Sequence, residues 1–243
     1  MLFRSYRGVV SGRCAEVAQV GSNVSLFGVS GEEFESFWVN YFDMNTDYSK
    51  IAETFLDISP VMSKAVAECS GIRILKQDFW ETLCSFIISQ NNNIPRIKKI
   101  INSLCANFGE NHNGVFSFPN PEVLANLGEE DLSVIRAGFR AKYIIDAARK
   151  VASGAVNAAE LKNMDIDEAQ SVLMKIKGVG VKVAQCVMLY GMHNLSAFPV
   201  DVWMKRVMDK FFPNATPNIF GEYAGVAQQY LYHYSRNHPE IFD

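Results

Sequence analysis

The sequence has few cysteines, and their spacing forms no recognisable group. There are five, an odd number, and no two of them make a C-x-x-C pair. This pattern argues against a disulfide framework, a zinc site and a four-cysteine iron–sulfur cluster. We therefore expect no cofactor and five reduced thiols, at Cys14, Cys69, Cys84, Cys105 and Cys186.

Long apolar runs are also missing. A membrane-spanning helix needs about 20 apolar residues, whereas the apolar segment at residues 186–192 is interrupted by Gly191. Near the N-terminus Arg4, Arg7 and Arg13 interrupt every apolar run, so we expect no signal peptide. The sequence predicts no membrane partner. It predicts a location in the cytoplasm or nucleoid of a bacterium or archaeon, or in the nucleus of a eukaryote.

Net charge is small, but positive charge is concentrated locally. The 23 Lys+Arg and 26 Asp+Glu give a formal charge of −3. Residues 96–99 carry +3, and residues 136–150 and 175–210 carry +4 each, which leaves −14 for the rest of the chain. Solvated helix faces would explain any one of these windows. Three of them in an acidic protein indicate a local anionic ligand such as phosphate.

The first part of the chain has the texture of a small sheet. Short stretches rich in Val, Phe and small residues are separated by Ser-Gly and Gly-Ser pairs, a pattern that predicts an antiparallel meander. These stretches are residues 2–10, 14–20 and 23–29.

Beyond Glu32 the pattern is helical, with apolar residues recurring at i, i+3 and i+4. We expect an α+β fold that is mainly α. In it a small N-terminal antiparallel β-subdomain, residues 1–48, packs on a larger helical body, residues 49–243.

The segment Gly178-Val179-Gly180 separates two helical patterns. Both glycines can adopt backbone conformations closed to other residues, and the following helix would present its free N–H groups to a phosphate. A plain glycine turn is the alternative. Lys182 lies in the first turn of that helix, where the dipole disfavours a cation and so favours the neutral amine, which can attack an electrophilic carbon.

Asp201 follows Pro199-Val200 and directly precedes the helical run at residues 202–212. Its position is typical of an N-cap, in which the carboxylate accepts backbone N–H groups. Such a carboxylate is also a rigidly held negative charge, so capping does not exclude a second role in chemistry.

Taken together, the glycine hairpin, Lys182 and Pro199-Val200-Asp201 resemble the helix-hairpin-helix (HhH-GPD) base-excision DNA glycosylases, and specifically the 8-oxoguanine DNA glycosylases. Three further segments agree with that family: an asparagine-rich loop SQNNNIPR at residues 89–96, GFRAKY at 138–143, and GEYAGVAQ at 221–228. The resemblance runs across nearly the whole chain. It implies a helical body with a small N-terminal β-subdomain and a helix-hairpin-helix at about residues 166–192.

The resemblance also implies an activity. The chain would be a monomeric, bifunctional DNA glycosylase/AP lyase acting on double-stranded DNA that contains oxidised guanine, opposite cytosine. After the base is flipped out, Lys182 would attack C1′, form a Schiff base and permit β-elimination. Asp201 would stabilise the positive charge that develops on the sugar.

The same resemblance assigns roles to individual residues. Cys186 and Tyr232 would stack on the flipped base, and Gln228 would read its Watson–Crick edge. Asn91 would enter the vacated space, Arg96 and Arg140 would read the widowed cytosine, and Phe139 would act as a wedge. Gly178 and Gly180 would bind the DNA backbone. Without the family, Cys186 would be a small buried hydrophobic residue. Gln228 and Tyr232 would be ordinary residues of a C-terminal helix, and Arg96 and Arg140 would be solvated surface arginines.

The sequence departs from the family in two places. Trp203 stands where the family has a histidine that helps to hold a backbone phosphate, and its indole N–H could still donate. Phe3-Arg4 resembles a strand that a glycine normally precedes, and that glycine's carbonyl accepts the N7–H unique to 8-oxoguanine. Here the position would precede Met1, so we expect that the chain is truncated, that its start was placed too late, or that the protein discriminates 8-oxoguanine from guanine less well.

Two other readings stay open. One is a monofunctional alkylbase glycosylase of the same superfamily, although Lys182 argues against it because those enzymes use the aspartate with water. The other is a catalytically idle helix-hairpin-helix module that binds DNA without cleaving it.

Overall fold

A computed structural model describes residues 5–20, 23–69, 71–112 and 114–242 of the chain. The segment Phe3-Arg4, with the position before it, lies outside the described residues. The fold is α+β and mainly helical, with a small antiparallel sheet at the N-terminal end, as predicted.

Three strands form the predicted meander. β1 (Ser5–Val10), β2 (Arg13–Val20) and β3 (Asn23–Phe27) are antiparallel in the order β1-β2-β3. Ser11 and Gly12 join β1 to β2 with φ values of 49° and 75°, and two such residues form a tight turn whose twist matches that of the strands. A second hairpin, β4 (Asn111–His112) with β5 (Val115–Phe116), was not predicted.

Helices make up most of the remaining chain. The α-helices are α1 (Gly31–Glu33), α2 (Val39–Tyr41), α3 (Tyr48–Glu53), α4 (Pro60–Cys69), α5 (Phe79–Ser89), α6 (Ile94–Phe108), α7 (Pro121–Ala125), α8 (Ala141–Ala152), α9 (Ala158–Leu161), α10 (Ile166–Leu173), α11 (Val181–Cys186), α12 (Val202–Phe211) and α13 (Ala224–Asn237). Phe34–Trp38 and Val187–Gly191 are π-helical, and Asp131–Ile135, Gly138–Arg140, Pro217–Tyr223 and Pro239–Phe242 are 3-10 helices. Within the described residues, no helix is both long and apolar enough to cross a bilayer.

The apolar spacing predicts one helix over residues 181–190 and one over residues 219–237, and the structure differs from both predictions. The run at residues 219–237 was expected to be one helix, but Gly221 has a φ of 64° and α13 begins only after it. The run at 181–190 is α-helical only to Cys186 and then widens into the π-helical segment Val187–Gly191.

Backbone contacts divide the chain into two compact units. The first unit comprises Met1–Val39, Asp78–Asn157 and Ile176–Gly178, and the second comprises Asn40–Gln77, Ala158–Lys175 and Val179–Asp243. The units interleave along the sequence.

In the first unit the core forms around α5. Leu83, Ile87 and Ile88 are fully buried, as is Ile144 on α8, which packs against α5. Burial of each such side chain stabilises a fold by about 2 kcal/mol. Asp78 caps α5 by accepting the Glu81 N–H, so α5 begins at a fixed place and carries its C-terminal end to the asparagine-rich loop.

In the second unit the core lies between α13 and α4. Tyr230 of α13 is fully buried and meets the edge of Phe55, while Met62 and Ala65 of α4 are buried on the facing side. This packing makes α13 a rigid element, on which Gln228 is also carried.

Candidate active site

In the second unit, Lys182 lies on the second helix of a packed helical pair. α10 and α11 form the helical pair of the predicted helix-hairpin-helix, and a hydrogen bond from Gln185 Nε2 to Gln170 Oε1, 2.7 Å long, joins them. Gly180 is the N-cap of α11 and provides no side-chain cap. Lys182 is the second residue of α11 and half-buried, so it lies in the first turn as predicted.

Asp201 caps α12, which confirms the N-cap expectation. Its Oδ1 accepts the Met204 N–H at 2.8 Å, and its carbonyl accepts the Lys205 N–H at 2.8 Å. The first turn of the helix therefore fixes both the side-chain carboxylate and the backbone carbonyl of Asp201. The bond to the Met204 N–H therefore holds the carboxylate in one orientation.

The thiol of Cys186 is influenced by the charges of both Lys182 and Asp201. Its side chain is 3% exposed, and burial raises the pKa of the thiol to about 11. The charge of Lys182 opposes that rise in pKa and the charge of Asp201 adds to it. The thiol is therefore neutral at physiological pH, beside an amine and a carboxylate.

Tyr190 extends this cluster and was missed from the sequence. Burial raises its pKa, and Cys186, Tyr232 and Asp201 raise it further. The spacing Lys182, Cys186, Tyr190 is a four-residue repeat, which places side chains on one helix face and could have revealed Tyr190.

The C-terminal helix brings Gln228 and Tyr232 to the same part of the second unit. A Cβ added to Gly225 would lie 2.4 Å from Leu189 Cδ1 and 2.6 Å from the Ala197 carbonyl, so only glycine permits this approach of α13. Gln228 is buried, and its Nε2 donates to the Pro199 carbonyl at 3.2 Å. The amide is thereby tied to the chain two residues before Asp201, while Tyr232 is half-buried one turn later.

The two hairpin glycines are not equivalent. Gly178, in the first unit, has a φ of 79°, and a Cβ there would lie 2.4 Å from Tyr143 Cδ2. Gly180 has a φ of −102° and a ψ of −178°, and a Cβ there would have no atom within 4 Å. The expectation of a conformation closed to other residues is confirmed for Gly178 and wrong for Gly180.

Arg140 is a buried residue of the first unit, not the solvated arginine that was the alternative reading. It is 2% exposed, and its guanidinium donates to the carbonyls of Gln90, Asn91 and Ala137. Four of its five N–H groups are used in these bonds. Asn91, exposed and with a φ of 46°, is therefore held by Arg140 through its own carbonyl.

The other predicted contacts of the first unit lie at its surface. The Phe139 ring is 49% exposed and lies 4.4 Å from the Arg140 guanidinium and 5.8 Å from the Tyr143 ring. Arg96 is exposed on the first turn of α6, and its backbone N–H donates to Asn93 Oδ1. Asn93 is thus the N-cap of α6, a role that the sequence analysis missed although Asn before Ile-Pro is a common helix start.

Trp203, in the second unit, uses its only donor inside the protein. Its Nε1–H donates to Ser235 Oγ at 2.7 Å. The indole N–H that the sequence offered to a backbone phosphate is therefore already bonded in this structure.

Comparison with protein families matches two models in succession. Residues 3–83 match the 8-oxoguanine DNA glycosylase N-terminal domain, and residues 84–218 match the HhH-GPD superfamily of base excision DNA repair proteins. Among curated proteins, an N-glycosylase/DNA lyase of Saccharomyces cerevisiae is 43% identical over 162 residues, which cover 59% of this chain. The match spans 43% of the yeast protein, less than half of its length.

Solved structures resemble the chain over almost its full length. MBOgg1 in complex with a low-affinity DNA ligand matches with a TM-score of 0.89 and 42% identity, covering 97% of this chain and 86% of that one. An 8-oxoguanine glycosylase/lyase of Clostridium acetobutylicum, in complex with double-stranded DNA containing cytosine opposite 8-oxoguanine, matches with a TM-score of 0.86 and 37% identity. The coverage is again 97% of this chain and 86% of the other.

Proposed function

Because the chain belongs to the 8-oxoguanine DNA glycosylase family of the HhH-GPD base excision repair superfamily, we propose that it excises 8-oxoguanine from duplex DNA and then cleaves the strand. The observation that carries this proposal is that Lys182, one turn before the buried Cys186 on α11, and the fixed N-cap carboxylate of Asp201 both act electrostatically on the Cys186 thiol. The amine can attack the sugar, and the fixed carboxylate can stabilise the positive charge that develops on it. The base of that sugar would lie against the thiol.

The chemistry follows from these two groups. With the nucleotide flipped out of the stack, its C1′ becomes accessible. The neutral amine of Lys182 forms a bond to C1′ while the bond from C1′ to the base nitrogen breaks, and the base leaves with the bonding electrons. Positive charge develops on the sugar during this step, and the carboxylate of Asp201 stabilises it because the N-cap bond to Met204 prevents reorientation.

Strand cleavage uses the same covalent bond. The attached amine then loses one proton, which the departing base can take up. The nitrogen lone pair forms a C1′=N bond as the bond from C1′ to the ring oxygen breaks and that oxygen takes up a proton, so that Lys182 and C1′ share a protonated Schiff base. This iminium acidifies the proton on C2′, whose removal expels the 3′ oxygen with its phosphate by β-elimination. The lysine is released by water at the end of the sequence.

The base pocket is proposed to consist of Cys186, Gln228 and Tyr232. A neutral, polarisable thiol and an aromatic ring are suited to the two faces of a planar base. The amide of Gln228 is oriented by Pro199, which supports a role in reading hydrogen-bonding groups on the base edge.

Recognition of the opposite strand is proposed for Asn91, Arg96, Phe139 and Arg140, with cytosine as the preferred opposite base. The exposure of the Phe139 ring supports its proposed role as a wedge. Because Arg140 has only one N–H outside its backbone bonds, reading cytosine requires that a base acceptor replaces a carbonyl of Gln90 or Asn91, or that Arg96 supplies most of the donors.

A nicking assay on a panel of lesions tests the proposed function. Labelled duplexes carrying 8-oxoguanine, an alkylated adenine or normal guanine, each opposite cytosine or adenine, are incubated with the protein and resolved with and without hot piperidine. We expect cleavage of the 8-oxoguanine strand without piperidine. Cleavage of the alkylated strand only after piperidine would indicate a monofunctional alkylbase glycosylase, and binding without cleavage would indicate an idle module.

A further inference from the structure

Trp203 lies at the centre of a small aromatic and basic surface in the second unit. It is the second residue of α12 and packs edge-on against Phe242, with ring centroids 5.2 Å apart. Ser235, which accepts the indole N–H, is buried and donates in turn to the Tyr232 carbonyl at 3.2 Å. Trp203 therefore ties α12 to α13, and its indole has no further donor to offer an external ligand.

Two guanidinium groups lie over this tryptophan. Arg206 Cζ is 5.3 Å from the Trp203 ring centroid and 4.6 Å from that of Phe242. Arg236 Cζ is 4.8 Å from the Trp203 ring centroid. Both distances end at the centre of the Trp203 ring, so the two guanidinium groups lie within about 10 Å of each other. This separation is roughly the screening length at 0.1 M salt.

Neither arginine is neutralised in the part of the chain that the structure describes. Both side chains are exposed, and no carboxylate among the described residues forms an ion pair with either of them. When the flat face of a guanidinium stacks on an aromatic ring, the N–H groups in the guanidinium plane remain able to donate to other ligands. Two such groups form a pre-oriented site for an oxyanion that presents several acceptors.

The place of the pair, with Arg206 on the helix that Asp201 caps, favours a DNA phosphate as the anion. Arg206 is on the same face of α12 as Trp203, one turn from it, and Trp203 is two residues after Asp201. An anion bound there would lie beside the helix that Asp201 caps, and Asp201 is the residue proposed to stabilise the reacting sugar. Exposed Lys205 adds positive charge on the same helix.

We propose that Arg206 and Arg236, held over Trp203, bind a backbone phosphate of the damaged strand beside the flipped nucleotide. The proposal rests on the proposed function and deepens it, because it names the groups that fix the strand while Lys182 and Asp201 act. The indole contributes through its ring, as a platform for the two cations, and its N–H stays on Ser235.

The test measures DNA affinity as a function of salt. Wild type, Arg206→Gln, Arg236→Gln and the double variant are titrated with a duplex carrying a stable abasic-site analogue, at KCl concentrations from 50 to 300 mM, by fluorescence anisotropy. Each lost phosphate contact should reduce the slope of log Kd against log[KCl] by about 0.9, because one fewer counterion is released. We expect each single variant to weaken binding by about tenfold at low salt.

Two control variants separate a phosphate contact from a general charge effect. Lys50→Gln removes one positive charge from α3, at a side chain that is 82% exposed, and should leave the slope unchanged. Trp203→Phe keeps a ring but removes the N–H, and should reduce the slope by much less than loss of either arginine. Circular dichroism and thermal melts verify that every variant is folded.

Three results would overturn the proposal: slopes of the arginine variants equal to that of Lys50→Gln, an equal loss of slope in Trp203→Phe, or a double variant no different from the single ones. Excision of 8-oxoguanine is measured separately under single turnover with saturating protein, so that loss of DNA affinity and loss of chemistry are distinguished. If wild type excises nothing yet the arginine variants lose their salt slope, the proposed function fails and the phosphate contact stands.

Discussion

Gly178 lies against the ring of Tyr143, so closely that a Cβ on the glycine would stand 2.4 Å from Tyr143 Cδ2. The glycine also has a φ of 79°, a conformation that side-chain-bearing residues rarely adopt. This contact joins the hairpin to α8 within the first unit, and the Lys177 N–H, which donates to Asp146 at 2.8 Å, fixes the same junction.

Replacing the two hairpin glycines should have unequal effects. Gly178→Ala combines a clash with an unfavourable φ and should lower the free energy of unfolding by about 2 kcal/mol. Gly180→Ala, in extended backbone with open space around it, should change it by less than about 0.5 kcal/mol. Urea unfolding measures both, and equal losses in the two variants would contradict this account of the hairpin.

Arg140 should behave as a positioning residue for the Asn91 loop. Lysine cannot reproduce its four N–H bonds to carbonyls, so Arg140→Lys should cost about 2 kcal/mol of stability. It should also reduce the preference for cytosine opposite the lesion. Arg96→Lys, at an exposed position, is the matched control and should leave stability within about 0.5 kcal/mol of wild type. An Arg140→Lys protein as stable as wild type would remove the positioning role.

Asp201 allows its structural role to be separated from its chemical one. Asparagine is as good an N-cap as aspartate, so Asp201→Asn should keep its bond to Met204 and the stability of α12. Loss of the negative charge should slow excision by roughly 100-fold while DNA affinity changes little. The matched control is Asp165→Asn, since Asp165 caps α10 through the Glu168 N–H at 2.8 Å. Similar losses of activity in both variants would show that capping alone accounts for the effect.

A buried cluster around Asp43 in the second unit should make stability depend on pH. His193 Nε2 is 3.0 Å from Asp43 Oδ2, and Lys76 Nζ is 2.9 Å from Asp43 Oδ1. Burial lowers the pKa of His193 below 6.5, although Asp43 partly opposes this, and the charges of Lys76 and Lys162 lower it further. The fold therefore favours neutral imidazole, and stability present above pH 6.5 is lost as the pH falls through the lowered pKa.

His193→Gln tests that dependence, because its amide can still donate to Asp43 but does not titrate. Urea midpoints measured between pH 7.5 and 5 should fall on acidification for wild type and fall less for the variant. The pKa of Asp43 is also lowered, since hydrogen bonds from Lys76, Thr46 and Tyr48 outweigh its burial, so its contribution is lost only at more acidic pH. Identical pH slopes in the two proteins would contradict the assignment to His193.

Local features of this fold were predictable from the sequence because neighbouring residues determine them. The N-cap at Asp201 and the three-stranded meander depend on side chains and turns within a few positions. Gly221 also marks the start of α13 locally. The helical spacing of apolar residues continues on both sides of this glycine, however, so the sequence predicted one uninterrupted helix.

Long-range features could not be read in the same way. The guanidinium of Arg140 bonds to carbonyls 49 and 50 residues away, and the Trp203 indole bonds to a serine 32 residues away. No periodicity within a helix predicts such partners, because they depend on how segments separated by other helices pack.

Covalent trapping tests the central claim most directly. The protein is incubated with an 8-oxoguanine:cytosine duplex in the presence of borohydride, which reduces a Schiff base to a stable amine, and the crosslinked peptide is identified by mass spectrometry. Lys175→Gln, which removes an exposed lysine from the same basic window, is the matched control and should trap as wild type does. We predict a crosslink at Lys182 that is lost in Lys182→Gln. A crosslink that persists in Lys182→Gln, or that maps to another lysine in wild type, would contradict the account.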